Sequence, residues 1–124
     1  YASGQPVNNW DNKYIGSARV RYAIEHSMNV CAVRTLTETV GLEKGYKYLE
    51  NFGFTTLVNN DPNYPGMSDI AQATALGGIT RGVYNIEMTA AYAAIANSGI
   101  YTEPLLYTEI LDHDGNVLID NSKL

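Results

Sequence analysis

The fold is decided by the stretch Val20-Arg21-Tyr22-Ala23-Ile24-Glu25-His26-Ser27-Met28-Asn29-Val30-Cys31-Ala32-Val33. Its first half carries apolar residues at spacings of three and four, which is the period of one helix face. That pattern predicts a helix that begins at Ser17 as N-cap and runs to about His26. The polar tripeptide Ser27-Met28-Asn29 then interrupts the period. We therefore expect one helix to end here and another to begin.

The second helix is predicted from an apolar series that continues beyond the break. Its members are Val30, Val33, Leu36 and Val40. Asn29 is placed to cap this helix at its start, and Gly41 is expected to end it.

The rest of the chain extends this arrangement in both directions. An irregular lead-in loop (1–16), with Trp10 and Tyr14 as its large residues, precedes a helical region (17–99). Within that region, start and stop signals also predict helices at 42–51 and 85–97. They predict a further short helix that is capped by Ser68 or Asp69 and ends at Gly77-Gly78. On both sides of Asp114-Gly115 the sequence changes to the period of β-strands, which predicts a β-hairpin at 106–120. The predicted fold is mainly α with a C-terminal β-hairpin, a partial domain over 1–124.

Composition limits the classes of function. The chain has 124 residues, of which 45% are hydrophobic, enough for a packed core. A net charge of −5 without a basic cluster argues against a nucleic-acid partner. The single cysteine cannot form an internal disulfide. No apolar run reaches the length of a membrane span, so these residues are expected to be soluble.

The break between the helices is the first candidate site. If it is an extended linker, the Ser27 hydroxyl and the Asn29 amide face one cleft, because residues two apart on a strand point the same way. A hydroxyl can pass a proton, and an amide can bind a peptide group through both of its edges. Serine and asparagine are also the residues that helix ends prefer, so a purely structural cap is the competing interpretation.

Other candidates are weaker on chemical grounds. His26 could act as a general base, but adjacent helical residues do not face each other. Cys31 has apolar neighbours, which favours a buried thiol over a nucleophile. His113, between two aspartates, could hold a metal but is typical of a solvated turn. Gly77-Gly78 with Thr80 could line a pocket or only end a helix.

Several ordered blocks resemble the penicillin-binding proteins, particularly the class A transpeptidase domain. They are the segments 9–16 and 20–33, Phe52-Gly53-Phe54, the segments 72–80 and 88–99, and the hairpin 112–118. The resemblance covers nearly the whole chain. It implies the helical portion of a penicillin-binding transpeptidase, a β-lactamase-like α/β domain.

The resemblance also implies a mechanism. The family brings together a Ser-x-x-Lys that bears the nucleophile, a Ser-x-Asn and a Lys-Thr-Gly or Lys-Ser-Gly. Only the second motif occurs here, as Ser27-Met28-Asn29. Ser27 is implied to relay a proton. Asn29 is implied to bind the substrate peptide and to hold the nucleophile-motif lysine.

The resemblance implies that these residues belong to a longer protein, which we call the parent. The parent is implied to be a D,D-transpeptidase that cross-links peptidoglycan stem peptides ending in D-Ala-D-Ala and is acylated by β-lactams. It implies no metal and no cofactor. It places the parent at the extracytoplasmic face of the bacterial membrane, anchored upstream of Tyr1. The 124 residues alone are expected to be inert, since the other two motifs are absent.

Two other functions remain open. The chain could be a non-catalytic peptide-binding or partner-binding module on the same scaffold, or part of a serine β-lactamase. Surfaces that the rest of the domain would cover are expected to be exposed, self-associated or rearranged. They are Gly77-Gly78, the helix around Ala90 to Ala96 and both edges of the hairpin.

Overall fold

The computed structural model describes residues 4–122, which form short helices followed by a hairpin. The α-helices are α1 (Val20–Glu25), α2 (Asn29–Arg34), α3 (Leu42–Asn51) and α4 (Asn85–Ala96). A π-helix (Thr35–Val40) continues α2, and a 3₁₀-helix (Gln72–Leu76) lies between α3 and α4. Strands β1 (Glu109–Leu111) and β2 (Val117–Asp120) pair antiparallel. The prediction of a mainly helical chain with a C-terminal hairpin is confirmed.

The first helix starts later than predicted. Arg19, with an extended backbone, is the N-cap residue of α1, so the prediction of Ser17 as the cap is wrong. The apolar face of α1 is also less covered than a core helix face. Val20 and Ile24 are each 75% exposed, and Ala23 is half-buried.

The second helix changes its winding part-way. The periodicity predicted one helix to Gly41, but the chain widens from an α- to a π-helix at Thr35. The hydroxyl of Thr37 donates a hydrogen bond to the Val33 carbonyl at 2.9 Å, a side-chain contact that competes with regular winding. The Gly41 N–H bonds the Leu36 carbonyl at 2.8 Å, and Gly41 ends the helix with φ of +89°.

The small core has two main parts, the segment that follows α3 and helix α4, and it also includes Val33 of α2. Its buried apolar residues are Val33, Phe54, Val58, Ala90, Ala91 and Ala94. A buried carboxylate, Glu87, connects the two parts, because it accepts hydrogen bonds from the N–H of Thr55 at 3.2 Å and of Tyr84 at 3.4 Å. Helix α4 matches its prediction within one residue, but only one side of it is packed. Tyr92 and Ile95 on the other side are 68% and 63% exposed.

The short helix before α4 differs from expectation at its start. Ala71 is its N-cap residue, so neither Ser68 nor Asp69 caps it. The Ser68 hydroxyl instead accepts a hydrogen bond from the Ile70 N–H at 3.1 Å. Its predicted end is confirmed, since Gly77 is left-handed with φ of +81°.

Of the surfaces expected to need a covering, the helix around Ala90 to Ala96 is partly packed, since Ala90, Ala91 and Ala94 are buried, and the others are exposed. Gly77 and Gly78 are exposed, as is every residue of β1 and β2. Within residues 4–122, no helix is both long and apolar enough to cross a membrane.

Candidate functional site

The Ser27-Met28-Asn29 break is a tight turn between α1 and α2. Ser27 has φ of +50°, a left-handed conformation that costs an L-residue about 1–2 kcal/mol. The N–H of Ser27 bonds the Ile24 carbonyl at 3.1 Å, and the N–H of Met28 bonds the Ala23 carbonyl at 2.9 Å. The expected extended linker is therefore wrong, because Ser27 is left-handed and only Met28 is extended. A left-handed residue held by its neighbours is typical of functional turns.

Asn29 does not cap α2, contrary to expectation, but is its first helical residue. Its side-chain Nδ2 donates a hydrogen bond to the carbonyl of Asn8 at 3.0 Å. The cap comes from elsewhere in the chain, because Asn9 Oδ1 accepts the Val30 N–H at 3.1 Å. The structural interpretation of the tripeptide as a simple cap therefore fails for Asn29.

Ser27 and Asn29 line the same open groove, which has a volume of ≈ 880 Å³. The turn thus brings the two predicted site residues together, although by a different backbone path. Val20 and Ile24 of α1 line the groove together with residues of α2 and the π-helix. The exposed apolar face of α1 is accounted for in this way, because it borders the groove. Within residues 4–122, the Ser27 hydroxyl makes no hydrogen bond.

The groove is also lined by a charged pair, Arg34 of α2 and Glu38 of the π-helix. Arg34 Nε and Nη2 each bond a carboxylate oxygen of Glu38 at 2.8 Å. Hydrogen bonding to Glu38 raises the pKa of Arg34, and the same contact lowers the pKa of Glu38. Both side chains are exposed, at 68% and 56%, so the pair contributes little to stability. Both residues stay charged at neutral pH.

His26 lies beside the turn but is engaged with its own helix. Its ring stacks on Tyr22 with centroids 3.8 Å apart, and Nδ1 lies 3.0 Å from the Tyr22 carbonyl, to which it can donate a proton. Within the described part of the chain, no hydrogen bond joins the His26 ring to the Ser27 hydroxyl. The arrangement agrees with the expectation that His26 does not act as general base for Ser27.

Of the remaining candidates, only Cys31 lies at the groove. It is half-buried and free, rather than fully buried as its apolar neighbours suggested.

The other candidates lie away from the groove. His113 Nε2 lies 3.2 Å from the carboxylate of Asp114 in a solvated turn. Thr80 donates its hydroxyl proton to the carboxylate of Asp69 at 2.7 Å. Thr80 therefore has a structural partner, and Gly77-Gly78 does not border the groove.

The lead-in loop contains the residues that sequence reasoning missed. Asn8 and Asn9 contact the start of α2, and Trp10 Nε1 donates a hydrogen bond to the His26 carbonyl at 3.0 Å. Trp10 is 73% exposed, so it is held by this bond and not by burial. Loop asparagines commonly bond to main-chain groups, which was the available signal. Nothing in the local sequence indicated which main-chain group they would reach.

The Ser-x-Asn turn and its groove lie in a chain with recognisable relatives. The family model for the penicillin binding protein transpeptidase domain matches residues 1–123. This chain belongs to the penicillin-binding protein transpeptidase family. The match confirms the resemblance drawn from the ordered blocks and identifies a segment of a class A transpeptidase domain.

Curated relatives agree with this family assignment. The chain is 40% identical over 120 residues to penicillin-binding protein 1A of Clostridium novyi, covering 93% of this chain and 13% of the relative. It is 36% identical over 110 residues to penicillin-binding protein 4 of Bacillus subtilis, covering 89% of this chain and 16% of the relative. The chain thus spans a small part of the length of these penicillin-binding proteins.

The fold also matches a solved penicillin-binding protein. The crystal structure of penicillin-binding protein 1A from Haemophilus influenzae aligns with a TM-score of 0.69 and 28% identity. The alignment covers 94% of this chain and 16% of that one. The helix-rich arrangement with its hairpin is therefore a known part of the penicillin-binding fold.

Proposed function

We propose that this chain supplies the Ser-x-Asn part of the catalytic cleft of a serine D,D-transpeptidase of peptidoglycan synthesis. The observation that carries the proposal is the placement of Ser27 and Asn29 on one groove of ≈ 880 Å³ in a member of this family. The rest of an α/β transpeptidase domain would complete the cleft. The parent would act at the extracytoplasmic face of the bacterial membrane.

The proposed reaction is an acyl transfer through a serine ester. The nucleophilic serine of the parent attacks the carbonyl of the penultimate D-Ala of a stem peptide. Its Oγ forms a bond to that carbon, the bond to the terminal D-Ala nitrogen breaks, and the leaving amine takes a proton. An amine of a neighbouring strand then attacks the ester, which restores the serine hydroxyl and forms the cross-link.

Ser27 is proposed to relay the proton in this reaction. A hydroxyl can accept a proton from one side while it donates its own to the other. The Ser27 hydroxyl is exposed to the groove and makes no hydrogen bond within residues 4–122, so it keeps its full capacity for such partners. The left-handed backbone of Ser27 is maintained by the turn and does not depend on the side chain.

Asn29 is proposed to bind the peptide backbone of the substrate and the lysine of the nucleophile motif. Its Nδ2 donates to the Asn8 carbonyl at 3.0 Å, which fixes the amide group. Its Oδ1 makes no hydrogen bond within the described residues. That oxygen can accept an N–H from a peptide or an ammonium group, and a charged donor strengthens such a bond.

β-Lactams would imitate the D-Ala-D-Ala terminus and acylate the parent. The isolated residues 1–124 should form no acyl-enzyme, because none of their serines is followed three positions later by lysine. Removal of the nucleophile from such a system leaves binding at best.

The test uses a fluorescent penicillin and the full-length protein that contains this chain. We expect a covalent adduct on the full-length protein and none on residues 1–124. Ser27→Ala should slow acylation by about 100-fold, in the range of general acid–base contributions. Asn29→Ala should slow it by about 10- to 100-fold, the loss expected for a hydrogen bond to a charged group.

Matched controls separate the site from general damage. Ser98 is also an exposed serine with a positive φ, of +57°, but it lies outside the groove. Ser98→Ala should acylate at the wild-type rate. An adduct on residues 1–124, or equal rates for Ser27→Ala and Ser98→Ala, would contradict the proposal.

A further inference from the structure

Three consecutive residues of the lead-in loop contact both ends of the Ser27-Met28-Asn29 turn. We call residues 8–10 the bracing segment. Before the turn, Trp10 Nε1 donates to the carbonyl of His26 at 3.0 Å. After it, Asn9 Oδ1 accepts the N–H of Val30 at 3.1 Å. The Asn8 carbonyl accepts Asn29 Nδ2 at 3.0 Å. The turn is thus held at both ends by one segment.

The α2 side of the turn needs such support. The residue at the N-cap position is Met28, whose side chain makes no capping hydrogen bond. The first N–H groups of a helix have no partner within the helix, so they require an outside acceptor. Asn9 supplies one from 21 residues away in sequence. The position of Asn29 relative to Ser27 therefore depends on where the bracing segment holds the start of α2.

Asn9 is itself fixed, so it can transmit position. The residue is only 4% exposed, and its Nδ2 donates to the Lys13 carbonyl at 2.8 Å. Its own carbonyl accepts the Asn12 N–H at 3.0 Å. Both ends of the Asn9 amide are thus engaged, one within the loop and one on α2. Because the Asn9 side chain is held at both ends, its Oδ1 has a defined position. Preorganised functional sites need supporting groups that are fixed in this way.

We propose that Asn9 and Trp10 are positioning residues for the Ser27–Asn29 pair. The proposal rests on the transpeptidase function proposed above. Neither side chain contacts reacting atoms. They act through the main chain of Val30 and His26, and so set the spacing of the Ser27 hydroxyl and the Asn29 amide in the cleft. Small displacements of catalytic groups slow reactions strongly, by up to about 100-fold for 1 Å.

The experiment measures acylation of the full-length protein by a fluorescent penicillin at increasing concentration. The concentration series separates the first-order rate constant of acylation at saturating penicillin from the apparent affinity for penicillin. Active sites are counted from the label bound at completion. Asn9→Ala should lower the saturated rate per active site by about tenfold or more. Asn9→Asp should recover only part of this loss, because a carboxylate still accepts the Val30 N–H but places its second oxygen against the Lys13 carbonyl, to which the amide donated.

Trp10→Phe provides a second, milder variant. It keeps an exposed ring but removes the donor to the His26 carbonyl, so the protein should fold normally. We expect a saturated rate lowered by about threefold to tenfold and an unchanged melting temperature. If Asn9→Ala does not fold, Trp10→Phe decides the question alone.

Two controls remove polar groups from exposed side chains elsewhere, Asn51→Ala and Tyr48→Phe, both in α3. Both should acylate within about twofold of wild type. Wild-type rates per active site in Asn9→Ala and Trp10→Phe would overturn the positioning role, even if the melting temperature of Asn9→Ala falls. A wild-type protein that takes up no label would overturn both proposals. Normal wild-type acylation with unaffected variants would overturn only this one.

Discussion

The carboxylate of Asp69 accepts the main-chain N–H of Val58 through Oδ2 at 2.7 Å, in a site where both residues are fully buried. Its other oxygen accepts the N–H and hydroxyl of Thr80 at 2.8 and 2.7 Å. The Asp69 N–H in turn bonds the Val58 carbonyl at 2.7 Å. One side chain therefore joins three loop segments. Asp69 therefore has a structural role in the interior of the protein.

Asp69→Asn should be strongly destabilising. An amide presents an NH₂ group where a carboxylate oxygen accepted a donor, so a buried N–H loses its partner. We expect a loss of about 2–4 kcal/mol in the free energy of unfolding of the transpeptidase domain. Urea unfolding measures it. Asp114→Asn, at an exposed turn position, is the matched control and should change little. Equal effects of the two substitutions would show that the Asp69 contacts carry no net stability.

Gly53→Ala should destabilise through two separate causes. Gly53 ends α3 with φ of +83°, which strains any residue with a Cβ. An added Cβ would also overlap the phenol group of Tyr101. Gly66 has a similar φ of +76° but open space around its Cβ position. Gly66→Ala should therefore cost about 1 kcal/mol, and Gly53→Ala about 2 kcal/mol or more. Equal melting temperatures for the two variants would contradict the proposed overlap.

Ser27→Gly should separate stability from activity. Glycine adopts φ of +50° without strain, so the free energy of unfolding should stay unchanged or rise by up to about 1 kcal/mol. Acylation should nevertheless slow by about 100-fold, because the relay hydroxyl is lost. Ser98→Gly should affect stability similarly and leave acylation unaltered. A fully active Ser27→Gly protein would exclude a catalytic role for the hydroxyl.

The hairpin turn should respond to acid through Asp112. Hydrogen bonds from the side chain and main chain of Asn116 lower the pKa of Asp112 below its usual range. The ionised form therefore stabilises the turn at pH values above the unfolded pKa of about 3.9, and that stability is lost as pH falls through the folded pKa. Carboxyl-detected NMR titration measures this pKa. Asn116→Ala should raise it, and an ordinary pKa in the unaltered chain would refute the contact.

The parts of the fold that follow from local period could be predicted from the sequence. The helix at Asn85–Ala96, the stop at Gly41 and the hairpin around Gly115 each have a signal within a few residues. The π-helical winding after Arg34 does not, because the apolar spacing there fits a regular α-helix equally well. Helix starts were predicted less well, since a suitable cap residue such as Ser17 lies near every candidate start.

The candidate site was only partly predictable for the same reason. Residue types and spacing singled out Ser27 and Asn29, and the family resemblance assigned their roles. The left-handed φ of Ser27 occurs at a serine, a residue type that does not by itself predict that conformation. The cap from Asn9 comes from a contact between segments that are distant in sequence. Such contacts leave no period in one sequence. The structural role of Asp69 was missed similarly, since a buried and a capping aspartate look alike in sequence.

The bracing segment has few buried apolar contacts, since Trp10 remains 73% exposed and its link to His26 is a hydrogen bond. Segments held in this way open at a lower free energy than a packed core does. Such an opening would release both ends of the turn while Val58 and Ala94 stayed in place. The cleft therefore opens at a lower free energy than the core, and on warming acylation should be lost at a lower temperature than that at which the protein unfolds.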